Sequence, residues 1–204
     1  MSYALHFQYM SNLIKRYFSR KISFLLILFS FNSCAINNNM MIGSEVAEVA
    51  LPLSFESQKR KIQNNPSNQL FYLNASKSRI TYAYGILMEK GDRLMYSDYY
   101  KSRDYYSKSL ELFVISRNYL LNALDLKYEN FFQKMRNKEQ ISFEEEDIDY
   151  IYWLSGSLAG SIQASQGDPQ YLIDLPNIKW LLENAITIDP DWQKGALSAA
   201  MMSV

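Results

Sequence analysis

Residues 147–190 read DIDYIYWLSGSLAGSIQASQGDPQYLIDLPNIKWLLENAITIDP, and this stretch decides the fold. Ile151, Leu154, Leu158 and Ile162 recur at three- and four-residue spacing, the period of a helix with one buried face, which predicts a helix over 147–166. Gly167-Asp168-Pro169 ends it, because glycine takes the left-handed C-terminal position and proline cannot continue a helix. Asp174 is the expected cap and Pro176 sits in the first turn of a second helix to 188, with Ile178, Leu181, Leu182, Ala185 and Ile186 facing inward. Asp189-Pro190 stops that one. Two helices joined by a short polar turn make an antiparallel hairpin.

The first of these helices carries Gly156, Gly160 and Ala164 at four-residue spacing. Glycine costs about 1 kcal/mol in a helix interior relative to alanine. Small residues repeated along one face therefore predict a second helix crossing very close there. Tyr150, Tyr152 and Trp153 lie one turn earlier. Tyr152 and Trp153 point roughly 100° apart on a helix, so one of them can face the core while the other lines a cavity or a subunit interface.

The same punctuation extends outward. Residues 45–63 carry Val46, Val49, Ala50, Leu53 and Ile62 at loosely helical spacing, with Pro52 marking a break or a start, and Asn64-Asn65-Pro66 closing the segment. A helix over 68–90 follows, opened by Ser67 or Asn68 and ended at Gly91; a long one over 97–127 then carries Tyr106, Leu110, Phe113, Leu120 and Leu124. Arg117 falls on that apolar stripe without a reason legible in the sequence. Residues 128–143 read as a connection with some helix, and Glu144-Glu145-Glu146-Asp147 puts negative charge where a helix N-terminus favours it. No alternating strand pattern competes, so the fold class is all-α, in repeat-like antiparallel hairpins.

Residues 15–34 read KRYFSRKISFLLILFSFNSC: four cations, an apolar run from Ile22 to Phe31, then small residues before a cysteine. That is the layout of an export signal. The run is too short to span a hydrocarbon core, which needs about 20 residues. Phe31-Asn32-Ser33-Cys34 is similar to a bacterial lipobox, with lipid expected on Cys34, the one cysteine of the chain. The expected organisation is a signal peptide over 1–33 (Met10 being a second candidate start), a lipidated cysteine with a flexible tether over 34–44 around Asn37-Asn38-Asn39, and a helical domain over 45–204. The lipid would anchor the domain at the periplasmic face of a membrane, the outer one being favoured, without spanning it.

Charge and chemistry narrow the function. Of 21 basic residues, Lys15, Arg16, Arg20 and Lys21 precede Cys34, so the remaining 17 face all 21 acidic ones, a net −4 that gives nucleic acid no footing. The single histidine, His6, lies in the signal segment. The mature domain therefore lacks the base of a Ser-His-Asp mechanism and the usual zinc ligands. No phosphate-binding glycine loop is present, and neither a metal nor a cofactor is expected. The acidic run at 144–147 with Asp149 reads as a solvated helix start rather than an acid–base pair.

Ala185-Ile186-Thr187-Ile188-Asp189-Pro190 resembles the close of a tetratricopeptide hairpin. A wider set is more specific: Tyr82-Ala83-Tyr84, Tyr152-Trp153, Ser165-Gln166-Gly167-Asp168-Pro169, Asp174-Leu175-Pro176, Ile188-Asp189-Pro190 and Gly195-Ala196, in that order. Together with the lipobox these resemble the T component associated with TRAP transporters (the TatT lipoprotein family), over residues 45–197. Leu158 stands where the family often has a second aromatic, and Tyr128-Glu129-Asn130-Phe131 where it has a proline. The resemblance implies a non-enzymatic, lipid-anchored homotrimer at the periplasmic face. It would dock the substrate-binding P component of a TRAP-type uptake system around a central cavity. It also implies further helices beyond Gly195-Ala196, so the C-terminus is expected to be truncated, with Leu181, Leu182, Leu197 and Met201 partly exposed. A generic tetratricopeptide-like scaffold lipoprotein of the envelope is the alternative, and a carboxylate-dependent envelope hydrolase the remote one.

Overall fold

The computed structural model describes residues 36–203. The chain divides into two compact units, one ending at Val46 and one spanning Ala47–Val204. Among the described residues the regular structure is helical, with no strand. Helix α1 spans Ile36–Asn64, so the asparagines at 37–39, expected as a flexible tether, have helical backbone. Pro52 lies inside α1 rather than at its start.

The second unit is a stack of antiparallel helices. α2 (Gln69–Tyr82) opens at Asn68, whose side chain accepts from the Leu70 amide at 3.1 Å. It continues through a π-helical segment, Ala83–Met88, into α3 (Glu89–Leu94). Gly91 therefore does not end the helix. Its reason is packing: a Cβ there would stand 3.1 Å from the Tyr106 ring and 3.5 Å from the Ser102 carbonyl. α4 (Tyr99–Asp125) returns along this helix after a turn capped by Asp98, which accepts from the Lys101 amide.

The seam between them is made of small residues. Ser102, Ser109, Ser116 and Ala123 recur every seventh position of α4, and each is at most 1% exposed. The Ser102 hydroxyl donates to the Gly91 carbonyl at 2.8 Å, Ser109 approaches the Ala83 carbonyl at 3.5 Å, and Ser76 donates to the Ser116 carbonyl at 3.2 Å. Partner numbers fall along one helix as they rise along the other, which is the antiparallel register. Such side chains let backbones approach while each buried hydroxyl keeps a partner.

α5 (Phe131–Asn137) and a 3₁₀ turn (Glu145–Asp147) lead to α6 (Ile148–Ala164), antiparallel to α4: Lys127 meets Asp147 at one end, Arg103 meets Gln166 at the other. α6 lies parallel to α2, joined by Lys77 Nζ to Asp149 at 2.6 Å and by the Tyr84 hydroxyl to the Gly156 carbonyl at 3.0 Å. α7 (Pro169–Leu172) carries the chain into α8 (Leu175–Ile188). At the head of α8, Asp174 caps by position but not through its side chain, whose carboxylate accepts instead from Asn177 Nδ2 at 2.7 Å. α9 (Trp192–Met202) closes the stack. The core runs through Phe113, Leu120, Ile151, Leu154, Leu158, Ile178 and Leu181.

The exposure expected at the C-terminal end is not found on Leu181, Leu182 or Leu197, all 0% exposed. The chain turns back through Gln193, Lys194 and Gly195, all at positive φ, and this reversal lays α9 against α8 with Leu197 inward. Met201 is half-buried and Met202 is exposed.

Candidate functional site

Gly156 is the key to the site, because it does not do what its spacing predicts. A Cβ built there meets nothing within 4 Å, whereas one at Gly160 would stand 2.5 Å from the Phe113 ring. The reason is helical drift. Residues four apart are rotated by roughly 40°, so a stripe of small residues walks around the helix. Gly160 lies against α4, where its close neighbour is a buried aromatic ring, and Ala164 is buried one turn on. Gly156 has already turned away into open space.

That space is a cavity of about 790 Å³. α6 supplies Tyr152, Ser155, Gly156, Ala159, Ile162 and Gln163; α8 supplies Leu175, Ile178 and Leu182; α9 supplies Ala196, Ala199 and Ala200, with Ser203 just past its end; Tyr84 enters from the π segment. A π-helical turn holds one extra residue, and such turns are frequent at functional sites. Here the turn carries Tyr84, whose ring packs edge-on against Phe113 at 4.6 Å. Burial pushes the Tyr84 hydroxyl well above its ordinary range, and the nearby Tyr152 adds to the shift. Tyr84 is therefore a neutral donor, occupied by the Gly156 carbonyl.

Tyr152 is half-buried on the cavity wall, with Trp192 at 5.0 Å and Trp153 at 5.7 Å between ring centroids. The Ser155 hydroxyl is spent on the Ile151 carbonyl at 2.8 Å. None of the described lining residues is charged. The cavity falls in the size range of small-molecule sites, with a largely apolar lining and a few polar groups. Its chemistry suits a neutral, largely apolar solute, not an ion.

The three aromatics singled out by sequence do not form one cluster. Tyr152 lines the cavity. Trp153 packs beside Tyr152 with Lys77 Nζ 5.8 Å from its ring centre. Tyr150 turns to a separate shallow depression beside Asn65, Asn68 and Gln69. Cys34 and His6 lie outside the described residues. Among the described residues no group of three or more His, Cys, Asp or Glu is disposed to hold a metal ion.

The acidic run also differs from its expected solvated form. Asp147 is 3% exposed. It accepts from Lys127 Nζ at 3.0 and 3.1 Å, from the Tyr128 hydroxyl and from the Glu144 amide at 2.8 Å. Burial depresses the Lys127 ammonium, but the hydrogen bonds it donates to Glu144, Glu146 and Asp147 outweigh it, and the net shift is upward. Burial and the bond to Asp147 push Tyr128 up to about 12. This carboxylate is fully engaged in holding the start of α6 to the end of α4.

Sequence reasoning also missed Arg79, which is 4% exposed. Its guanidinium donates to Gln58 Oε1, to the Ala75 carbonyl and to the Phe55 carbonyl at 2.9–3.0 Å, and it lies 4.5 Å from the Phe55 ring centre. It fastens α1 to α2. No signal in the sequence distinguishes it from a surface arginine.

The family model described as TRAP transporter T-component matches residues 44–203. No curated protein matches the chain.

Proposed function

The chain belongs to the TRAP transporter T-component family, and from that premise we propose that it is a lipid-anchored, periplasm-facing accessory protein. In this reading it docks the transporter's substrate-binding P component as a homotrimer and offers a neutral solute the cavity between α6, α8 and α9. The family match carries the transporter role. The uncharged lining of the cavity supports the solute class, since an ionic solute there would lose hydration without gaining a partner. A cysteine closing an export-signal layout supports the lipid anchor at Cys34, which we place on the periplasmic side of the outer membrane. No described helix is long and apolar enough to cross a membrane. The role needs no catalysis, and we read the protein as non-enzymatic.

The test uses the full chain and two variants. Cys34→Ala should leave the protein unprocessed or release it from membranes. Gly156→Leu points a side chain into the cavity without touching the α4 interface. It should stay folded and docked, yet lose any neutral solute that co-purifies with the wild type in native mass spectrometry. A Cys34→Ala protein that is processed and fractionates with membranes like the wild type, or a Gly156→Leu protein that keeps its solute, overturns the corresponding part.

A further inference from the structure

A second cleft, of about 490 Å³, opens where α4, α5, α6 and the segment from α7 to the cap of α8 converge, and it shares no lining residue with the first. Its floor is apolar: Met135 and Leu158 are each 1% exposed. Phe132 and Ile173 form an exposed apolar rim. Arg117 and Arg136 reach into the cleft, and this explains why Arg117 interrupts the apolar stripe of α4.

The charges there are not matched. One buried carboxylate, Asp174, faces both guanidinia, and it is held chiefly by a neutral group: the Asn177 amide donates to it at 2.7 Å. Arg136 stands 3.5 Å from it and Arg117 3.9 Å, beyond the roughly 2.7–2.9 Å of a closed arginine–carboxylate pair. Each guanidinium has five N–H donors. Among the described residues, Arg136 makes a single side-chain hydrogen bond, the 3.5 Å one to Asp174, and Arg117 makes none. Lys138 adds a third cation nearby, bound to the Asn177 side chain. Its ammonium is depressed by burial first and by the neighbouring Arg136 second, with Asp174 opposing both.

We propose that this cleft binds a small organic monocarboxylate with a compact apolar body, its carboxylate bridged by Arg117 and Arg136 and its body resting on Met135 and Leu158. A planar carboxylate matches the guanidinium fork, and the apolar floor accepts an aryl or branched alkyl group. A phosphate dianion fits worse, because it brings twice the negative charge towards the Asp174 carboxylate and leaves the apolar floor unused. The proposal goes beyond the transporter reading and does not depend on it.

The probes are benzoate, its uncharged counterpart benzyl alcohol, and inorganic phosphate, each titrated against the full-length chain by calorimetry. Benzoate should bind saturably, and benzyl alcohol about tenfold more weakly or worse, the scale of a charge-assisted hydrogen bond. Arg117→Gln should weaken benzoate by a similar factor. Ile173→Asp, at a rim position 57% exposed, should do the same through repulsion while leaving the fold's melting temperature unchanged. The proposal is overturned if benzoate and benzyl alcohol bind alike, if phosphate binds as tightly as benzoate, or if both variants bind benzoate like the wild type.

Discussion

Gly156 and Gly160 lie one turn apart on the same helix, and alanine at the two positions should move stability in opposite directions. At either site alanine gains up to about 1 kcal/mol of helix propensity. At Gly156 nothing opposes the gain, because the new methyl meets open space and the Tyr84 bond uses only the backbone carbonyl. At Gly160 the methyl would meet three atoms of the Phe113 ring at 2.5, 2.6 and 2.7 Å. Carbon atoms prefer about 3.5–4.0 Å. The ring cannot step aside easily: Phe113 is 0% exposed and backed by Tyr84. Overpacking of this kind costs about 1–3 kcal/mol, so after the propensity gain the net effect is a loss of up to about 2 kcal/mol. For a domain of this size that is a fall of up to about 8 °C in melting temperature, against a rise of about 2–4 °C for Gly156→Ala. Differential scanning calorimetry of the two variants decides it. Equal shifts of the same sign would refute the packing argument.

Lys127→Met removes the main donor to the buried Asp147, and denaturant unfolding should show a loss of about 1–3 kcal/mol. Ser109→Leu, in the small-residue seam between α2–α3 and α4, should overpack by about 1–3 kcal/mol, whereas Ser109→Ala should cost far less in the same assay. Tyr106 and Tyr128, both pushed up to about 12 by burial and by hydrogen bonds to Asp92 and Asp147, should titrate late in ultraviolet absorbance. Because the folded state holds these protons more tightly than the unfolded one, the stability they contribute is complete below the ordinary tyrosine value near ~10 and is lost as pH rises towards about 12. Urea midpoints that stay flat between those limits would remove the two hydroxyls from the account.

The helices were legible because their signals are local. Asn68, Gly167-Asp168-Pro169 and Asp189-Pro190 punctuate the chain, and the apolar period between them names the buried face. What failed depended on a neighbour distant in sequence. Gly91 resembles a terminator until the Tyr106 ring is set against it, and Gly156 looks equivalent to Gly160 until the drift of the helix is followed in space. Asp147 reads as one of four solvated acids, yet Lys127 and Tyr128 from α4's end bury it alone. The serine seam of α4 was visible at a seven-residue spacing, but serine is read by habit as a surface residue. The cavity itself had only an indirect signal, the small residues of α6 and α9, because a void is a property of several helices at once.

The central claim, a T component that docks its transporter's P component as a homotrimer, is tested most directly by molar mass in solution. Full-length protein and the purified P component of the same transporter would be examined by size-exclusion chromatography with light scattering, alone and mixed. The account predicts the mass of three copies for the chain alone and a heavier peak containing both proteins on mixing. A chain that stays monomeric and elutes apart from the P component would contradict it.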